Sequence, residues 1–255
     1  MLPDSLLLST PLNTSRLLLS LLGMRVRVHH QSRLPERGPT LVVSNHRSFI
    51  DAPLLMVGLG RSIRFACHHY MSQVPVMREL VNQLGCFPLS EADHRQQSFF
   101  QQASALLRAR QMVGVFPEGG EPMTQFTAPD QMSKFHRGFA HLALRAPVSD
   151  LAVVPVAIVS QEEVSPPAIP LRLLSWFDPS EPLFQREGWH PMVVYRQVEV
   201  VIGKPVWITQ AQREAYRGRQ AGRVAAELSR SCQNQIELLQ QSRLETPVGF
   251  SPAFS

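Results

Sequence analysis

Two kinds of apolar pattern alternate along the chain. Near residue 24, MRVRVHH switches between apolar and polar at every step, and VVYRQVEVVIG at 193–203 does so over a longer reach. A period of two sets one face of a strand against the core and the other in water. TLVVSN at 40–45, MVGVF at 112–116 and LAVVPVAIV at 151–159 are instead largely unbroken apolar runs. Such short solid runs fit strands buried on both faces, as in a parallel sheet covered by helices. Between them the spacing turns helical, over 52–59, 76–84, 95–110 and 135–146. Strand and helix alternate, so the expected fold class is α/β, with a mostly parallel central sheet flanked by helices.

The ends of the chain carry helices of a different kind. Leu17, Leu18, Leu21 and Leu22 share one helical face, with Arg16 and Ser20 outside it. That face suits a helix lying in a membrane interface, and equally one capping the core of its own domain. Asp4, Pro11, Asn13 and Arg16 interrupt the leucines, which argues against a spanning helix of roughly 20 apolar residues. A clear basic start and small-residue cleavage site are also lacking, so a secretory signal is not indicated. After Pro205 the composition shifts to Gln, Arg, Glu and Ala, with Val224, Leu228, Ile236 and Leu239 as a sparse stripe over 209–242. One C-terminal helix packed on the domain is expected there, with a break near Gly218 and Gly222. SPPAIP at 165–170 reads as a surface loop, and the tail from Thr246 as loose.

Composition narrows the picture. Hydrophobic residues at 44% against charged residues at 18% exclude disorder as the default. Only Lys134 and Lys204 among the 25 basic residues are lysines. Arginine grips phosphate and carboxylate in a planar fork, which favours anionic partners, although a merely soluble basic surface gives the same count. Nucleic acid is not expected, because no recognised motif, glycine-rich nucleotide loop or aromatic-studded basic strand accompanies the charge. Cys67, Cys86 and Cys232 are odd in number and widely spaced. They indicate neither a disulfide framework nor a zinc ribbon, and fit thiols in a reducing compartment. The pairs His29–His30 and His68–His69 lack the spacing that would complete a metal site, so no metal is expected. Arg25 and Arg27 share one face of the first strand, which reads as a solvated edge.

The chemistry concentrates in two places. In LVVSNHRSFIDAPLL at 41–55 a buried strand runs into Asn45 and His46, and Asp51 follows five residues after the histidine. Five helical steps would set two side chains about 140° apart. If His46 lies in the turn after the strand and Asp51 in the first helical turn, they can meet. The carboxylate would then hold one imidazole nitrogen and leave the other free as a base. Asp51 ahead of Ala52–Pro53 also suits a helix N-cap. The second place is VGVFPEGGEPM at 113–123, where Glu118 and Glu121 flank two glycines beyond a strand. Both lie past the C-terminal ends of strands, the edge at which open α/β sheets bind ligands.

NHRSFID at 45–51 resembles the Asn-His-x4-Asp signature of the glycerolipid acyltransferases, of the lysophosphatidic acid acyltransferase type. FPEG at 116–119 is similar to their second hallmark. KFHRGFAHLAL at 134–144, VVPVAI at 153–158 and IGKP at 202–205 resemble the blocks that follow, in the same order. The resemblance implies transfer of a fatty acyl group from acyl-CoA or acyl carrier protein to a lipid hydroxyl, with no cofactor beyond that donor. It implies that His46 is the general base and that Asp51 orients it. It also implies that Asn45, Phe116, Glu118 and Gly119 line the acceptor side, where Glu118 would hold hydroxyl groups. No Gly-x-Ser-x-Gly elbow is present, in keeping with direct attack and no acyl-enzyme.

Two departures qualify the acceptor. The family continues FPEG with Thr-Arg-Ser, and here Gly120, Glu121 and Pro122 follow. Glu91 likewise stands where GCFPLSE at 85–91 would be expected to carry an arginine. Lys134 and Arg137 become the candidate phosphate-binding cations in their place, with Arg95 also near in sequence. The expected acceptor is a lysoglycerolipid, with 1-acylglycerol-3-phosphate the family's own. A lysolipid without a phosphomonoester is the alternative, and a non-catalytic lipid-binding protein a third reading. The expected organisation is an N-terminal interface helix and first strand over 1–35, an acyltransferase domain over 36–208, and a C-terminal helix and tail over 209–255. The expected place of action is the cytoplasmic face of a membrane, held peripherally, with membrane lipids and the acyl donor as partners.

Overall fold

The computed structural model describes residues 10–67, 75–90, 94–119, 128–164, 167–170, 189–191 and 193–245. Helix α1 (Pro11–Leu21) begins where Thr10 accepts from the Asn13 N–H at 3.3 Å and Pro11 takes the first helical position. There the missing proline N–H leaves nothing unsatisfied. The chain continues through β1 (Arg25–His29), β2 (Thr40–Ser44), α2 (Asp51–Leu59), β3 (Ile63–Cys67), α3 (Pro75–Gln83) and β4 (Phe87–Pro88). Next come α4 (Arg95–Arg108), β5 (Met112–Val115), α5 (Gly138–Arg145) and the long strand β6 (Ala152–Val164). The short strands β7 (Pro167–Pro170) and β8 (Trp189–Pro191) precede β9 (Val194–Ile202) and β10 (Val206–Trp207). Helices α6 (Gln210–Arg217) and α7 (Ala221–Leu244) follow.

The main sheet runs β1-β9-β6-β2-β5-β3-β4, with β10 also on β6. Five of its seven pairings are parallel; β9 and β10 run antiparallel to β6. The mostly parallel α/β sheet expected from the apolar runs is therefore present. The runs are solid because both faces are covered. Leu41, Val43, Val113, Val153 and Ala157 face a core with α4, α5, α6 and α7. Val42, Val154, Val156, Val198 and Val200 face a second core with α1 and α2. β1, whose sequence alternates, is an edge strand, with Arg25 exposed and Val26 buried.

Two expectations are revised and a third is met. The four leucines of α1 do not act together: Leu18 and Leu22 pack on the second core with the fully covered Leu19, while Leu17 and Leu21 stand 48% and 76% exposed. The helix caps the core, and a leucine pair four residues apart remains outward. SPPAIP is not simply a loop, because Pro167–Pro170 pairs antiparallel with Trp189–Pro191; its first two residues lie outside the described residues. The C-terminal helical region is broken at 218–220, beside the predicted glycine, and its stripe of Val224, Leu228 and Ile236 is buried. The tail from Thr246, His68–His69, Glu91 and Glu121 lie outside the described residues.

β2 and β5 are parallel neighbours, Val43 lying opposite Val115. The turn carrying His46 and the turn Pro117–Gly119 therefore leave the same edge of the sheet side by side.

Candidate active site

The His46 turn is held from every side. Asn45 is buried, its side-chain amide donating to the Ile158 carbonyl at 2.9 Å and its oxygen accepting from the Ile158 N–H at 2.8 Å. The expectation that Asn45 faces substrate does not hold. It docks the end of β2 onto β6, as a peptide unit would. Asp51 is the first residue of α2 rather than its cap, a position held by Ile50. Its fully buried carboxylate points back into the turn. Oδ2 accepts from the Arg47 N–H at 2.6 Å and the Ser48 N–H at 2.8 Å, and lies 2.9 Å from His46 Nδ1. A carboxylate with these contacts fixes its imidazole partner with Nδ1 protonated, which leaves Nε2 with its lone pair. The His46 side chain is 17% exposed, so that lone pair is reachable.

The imidazole is also stacked. Its ring lies 4.1 Å from that of Phe116 at 12°, and Phe116 lies 5.1 Å from Phe65 at 12°. Gly114 makes this stack possible: a Cβ there would come within 2.1 Å of the Phe65 ring. Phe116 thus packs the imidazole from the second turn, a task that the resemblance alone did not assign.

Glu118 differs most from expectation. It is 2% exposed, and it does not present its carboxylate to an incoming hydroxyl. Oε1 accepts from the His46 N–H at 2.8 Å and Oε2 from the Ser133 N–H at 2.5 Å. It therefore ties the histidine turn to the segment before α5. Burial raises its pKa above the ordinary carboxylate value, and the two amides and His46 only partly oppose this. Gly119 sits at φ +73°, where a side chain would be strained, and faces the ring of His136. The His136 N–H donates to the Pro117 carbonyl at 2.8 Å. Lys134, His136 and Arg137 are exposed beside this turn, and Arg137 caps α5.

Several contributors were not visible in the sequence. The Arg47 guanidinium clamps Glu163 with contacts at 3.0 and 2.5 Å, and reaches the Ala128 carbonyl at 3.0 Å. Burial works against the Arg47 charge, but pairing with Glu163 outweighs it and holds the guanidinium more firmly protonated. Ser48 donates to the Val193 carbonyl at 2.5 Å, and the Tyr195 hydroxyl donates to Asp51 Oδ1 at 2.8 Å. Glu163, Val193 and Tyr195 lie more than a hundred residues from the turn. Only the alternation of β9 hinted that Tyr195 points inward. The thiols are not nucleophiles in waiting: burial pushes Cys67 up to about 11, and Cys86 and Cys232 up to about 12.

The model of the acyltransferase family matches residues 25–159. An uncharacterised protein of Mycobacterium leprae is 28% identical over 201 residues, 72% of this chain and 52% of its own. A chloroplastic 1-acyl-sn-glycerol-3-phosphate acyltransferase of Arabidopsis thaliana is 26% identical over 144 residues, 56% of this chain and 38% of its own. The chain thus spans about half or less of the length of these curated relatives. The crystal structure of the 1-acyl-sn-glycerophosphate acyltransferase of Thermotoga maritima shares the fold, with a TM-score of 0.58 at 17% identity over 94% of this chain and 80% of that one. With the family match extending over more than half of its residues and both signature turns inside it, the chain belongs to the acyltransferase family.

Proposed function

We propose that this chain transfers a fatty acyl group from a thioester donor, acyl-CoA or acyl carrier protein, to a hydroxyl of a lysoglycerolipid. The observation that carries the reading is the 2.9 Å contact between His46 Nδ1 and the buried Asp51 carboxylate, which leaves Nε2 on the reachable side. Nε2 takes the proton of the acceptor hydroxyl as its oxygen bonds to the thioester carbon. The resulting tetrahedral oxyanion collapses, the carbon–sulfur bond breaks, and the leaving thiolate takes the proton from the imidazolium. Asp51 stabilises that imidazolium without taking its proton. Phe116 and Glu118 hold the ring and the backbone of His46. A positioned base supplies about 10²–10⁴ in rate, and alignment of the two substrates supplies more.

For the acceptor we infer 1-acylglycerol-3-phosphate, the acceptor for which the Arabidopsis and Thermotoga proteins are named. Lys134 and Arg137, exposed beside Gly119, are the cations that would meet its phosphate. The acidic residues Glu91 and Glu121 favour a second reading, a lysolipid without a phosphomonoester, because carboxylates repel a dianion. An acceptor panel separates the two, run with acyl-CoA and acyl carrier protein donors. Wild type should acylate a lysolipid, and His46→Ala should lose about 10²-fold or more. Equal, negligible turnover by both across the panel would overturn the enzyme reading. Preference for neutral lysolipids would move the acceptor to the second reading.

No helix among the described residues is long and apolar enough to cross a membrane. We propose peripheral attachment at the cytoplasmic face, through the outward Leu17 and Leu21.

A further inference from the structure

The two oxygens of Asp51 are treated differently. Oδ2 has His46 and two backbone N–H groups; Oδ1 has the Tyr195 hydroxyl at 2.8 Å. Tyr195 is fully buried on β9, directly opposite Glu163 on β6, the residue that clamps Arg47. A register irregularity between Ser160 and Glu163 sets that pairing, and such bulges re-aim side chains. Two residues earlier, the Val193 carbonyl accepts from Ser48. The start of β9 therefore grips the catalytic turn twice, and it lies outside residues 25–159, which the family model matches.

We propose that Tyr195 is a positioning residue for the His46–Asp51 pair, holding Oδ1 so that Oδ2 stays on the imidazole and its charge stays spread. The inference rests on the reading of His46 as the base. Burial, with the Asp51 charge adding to it, pushes the phenol well above its ordinary range, so the hydroxyl remains a donor. The charged and titratable groups around Asp51 are His46, Arg47 with its partner Glu163, and Glu118 across the turn. Removing the hydroxyl leaves Oδ1 without a partner in a dry site and concentrates the carboxylate charge. The imidazolium is then held more tightly, and a higher pH is needed to free Nε2.

Tyr195→Phe keeps the ring and its packing. Its kcat should fall about threefold on the acid limb, where less of the protein carries a free Nε2. KM should stay within about twofold, since the lost contact does not touch substrate. The acid limb of the pH–rate profile should move up by about half a unit or more. Tyr216→Phe removes a hydroxyl that meets His141 instead, and should leave the limb in place. Replacing tyrosine by 3-fluorotyrosine strengthens the donor, and should move the limb to lower pH. Histidine NMR, with His46 assigned by its loss in His46→Ala, reads the same titration without turnover. Should acyl transfer prove absent, the NMR series still decides the role of Tyr195. Unchanged titration of His46 in both Tyr195→Phe and the fluorotyrosine protein would overturn the proposal.

Discussion

Glu118 carries a pH dependence that can be measured without knowing the substrate. Its carboxyl is buried between the His46 and Ser133 amides, and burial raises its proton affinity above the ordinary value. The folded state therefore binds a proton where the unfolded chain has already lost it. Stability falls as pH rises from the ordinary glutamate range, about 4.3, through the raised folded value. Glu118→Gln cannot titrate and should lack this slope, although its amide offers one acceptor where two N–H groups point. Urea unfolding of both proteins across pH 3.5–7, a range chosen around that ordinary value, should show wild type losing stability relative to Glu118→Gln as pH rises. A difference that stays constant would mean that the carboxyl binds its proton equally well in the folded and unfolded chain. At this scale the sequence was informative where partners are near. His46 and Asp51 are five residues apart, and a turn running into a helix was enough to bring them together. Glu118 and Tyr195 reach the same turn from 72 and 144 residues away. Their residue types were compatible with other roles, and only pairing of the strands selects the one observed.

Among the elements, β5 shows how a strand is shaped for the site beyond it. Val113 and Val115 fill one core, while Gly114 leaves room on the other face for Phe65. Phe65 supports Phe116, and Phe116 supports His46. Gly114→Ala should drive a Cβ into a ring that is 2% exposed. A stability loss of about 1–3 kcal/mol is expected for such overpacking, read from the urea midpoint. Turnover should fall by more than that loss explains, because the stack behind the imidazole must move. Normal turnover with a normal midpoint would show that Phe65 yields freely. Helix α7 teaches a related lesson. Its apolar stripe was legible, but what its glutamines meet was not. Gln233 accepts from the Phe135 N–H at 3.2 Å, and Gln240 is buried, donating at 3.3 Å to the Ile158 carbonyl that Asn45 also uses. A polar residue's reach depends on what the helix lands on, which periodicity does not contain.

For the whole molecule, the α/β alternation was legible because solid apolar runs demand cover on both faces. The antiparallel insertion of β9 between β6 and β1 was not, since pairing direction leaves no mark on composition. The same limit applied to α1, whose leucines could face a core or a membrane. The structure divides them, and the exposed pair makes the membrane reading testable. Leu17 and Leu21 project from a helix next to Arg16, in a protein of formal charge +5. Attachment to an anionic bilayer would then combine a screened electrostatic part with an apolar part that salt leaves in place. Wild type should bind vesicles containing anionic phospholipid, weaken with salt, and keep a residual affinity at high ionic strength. Leu17→Ser with Leu21→Ser should lower that residual affinity about 10-fold or more, because each leucine contributes about 1.5–3 kcal/mol when fully buried. Its binding at low salt should suffer less. Sedimentation with vesicles at two salt concentrations checks both arms. Equal binding of the two proteins at high salt would place the contact elsewhere on the molecule and leave α1 solely as the cover over α2.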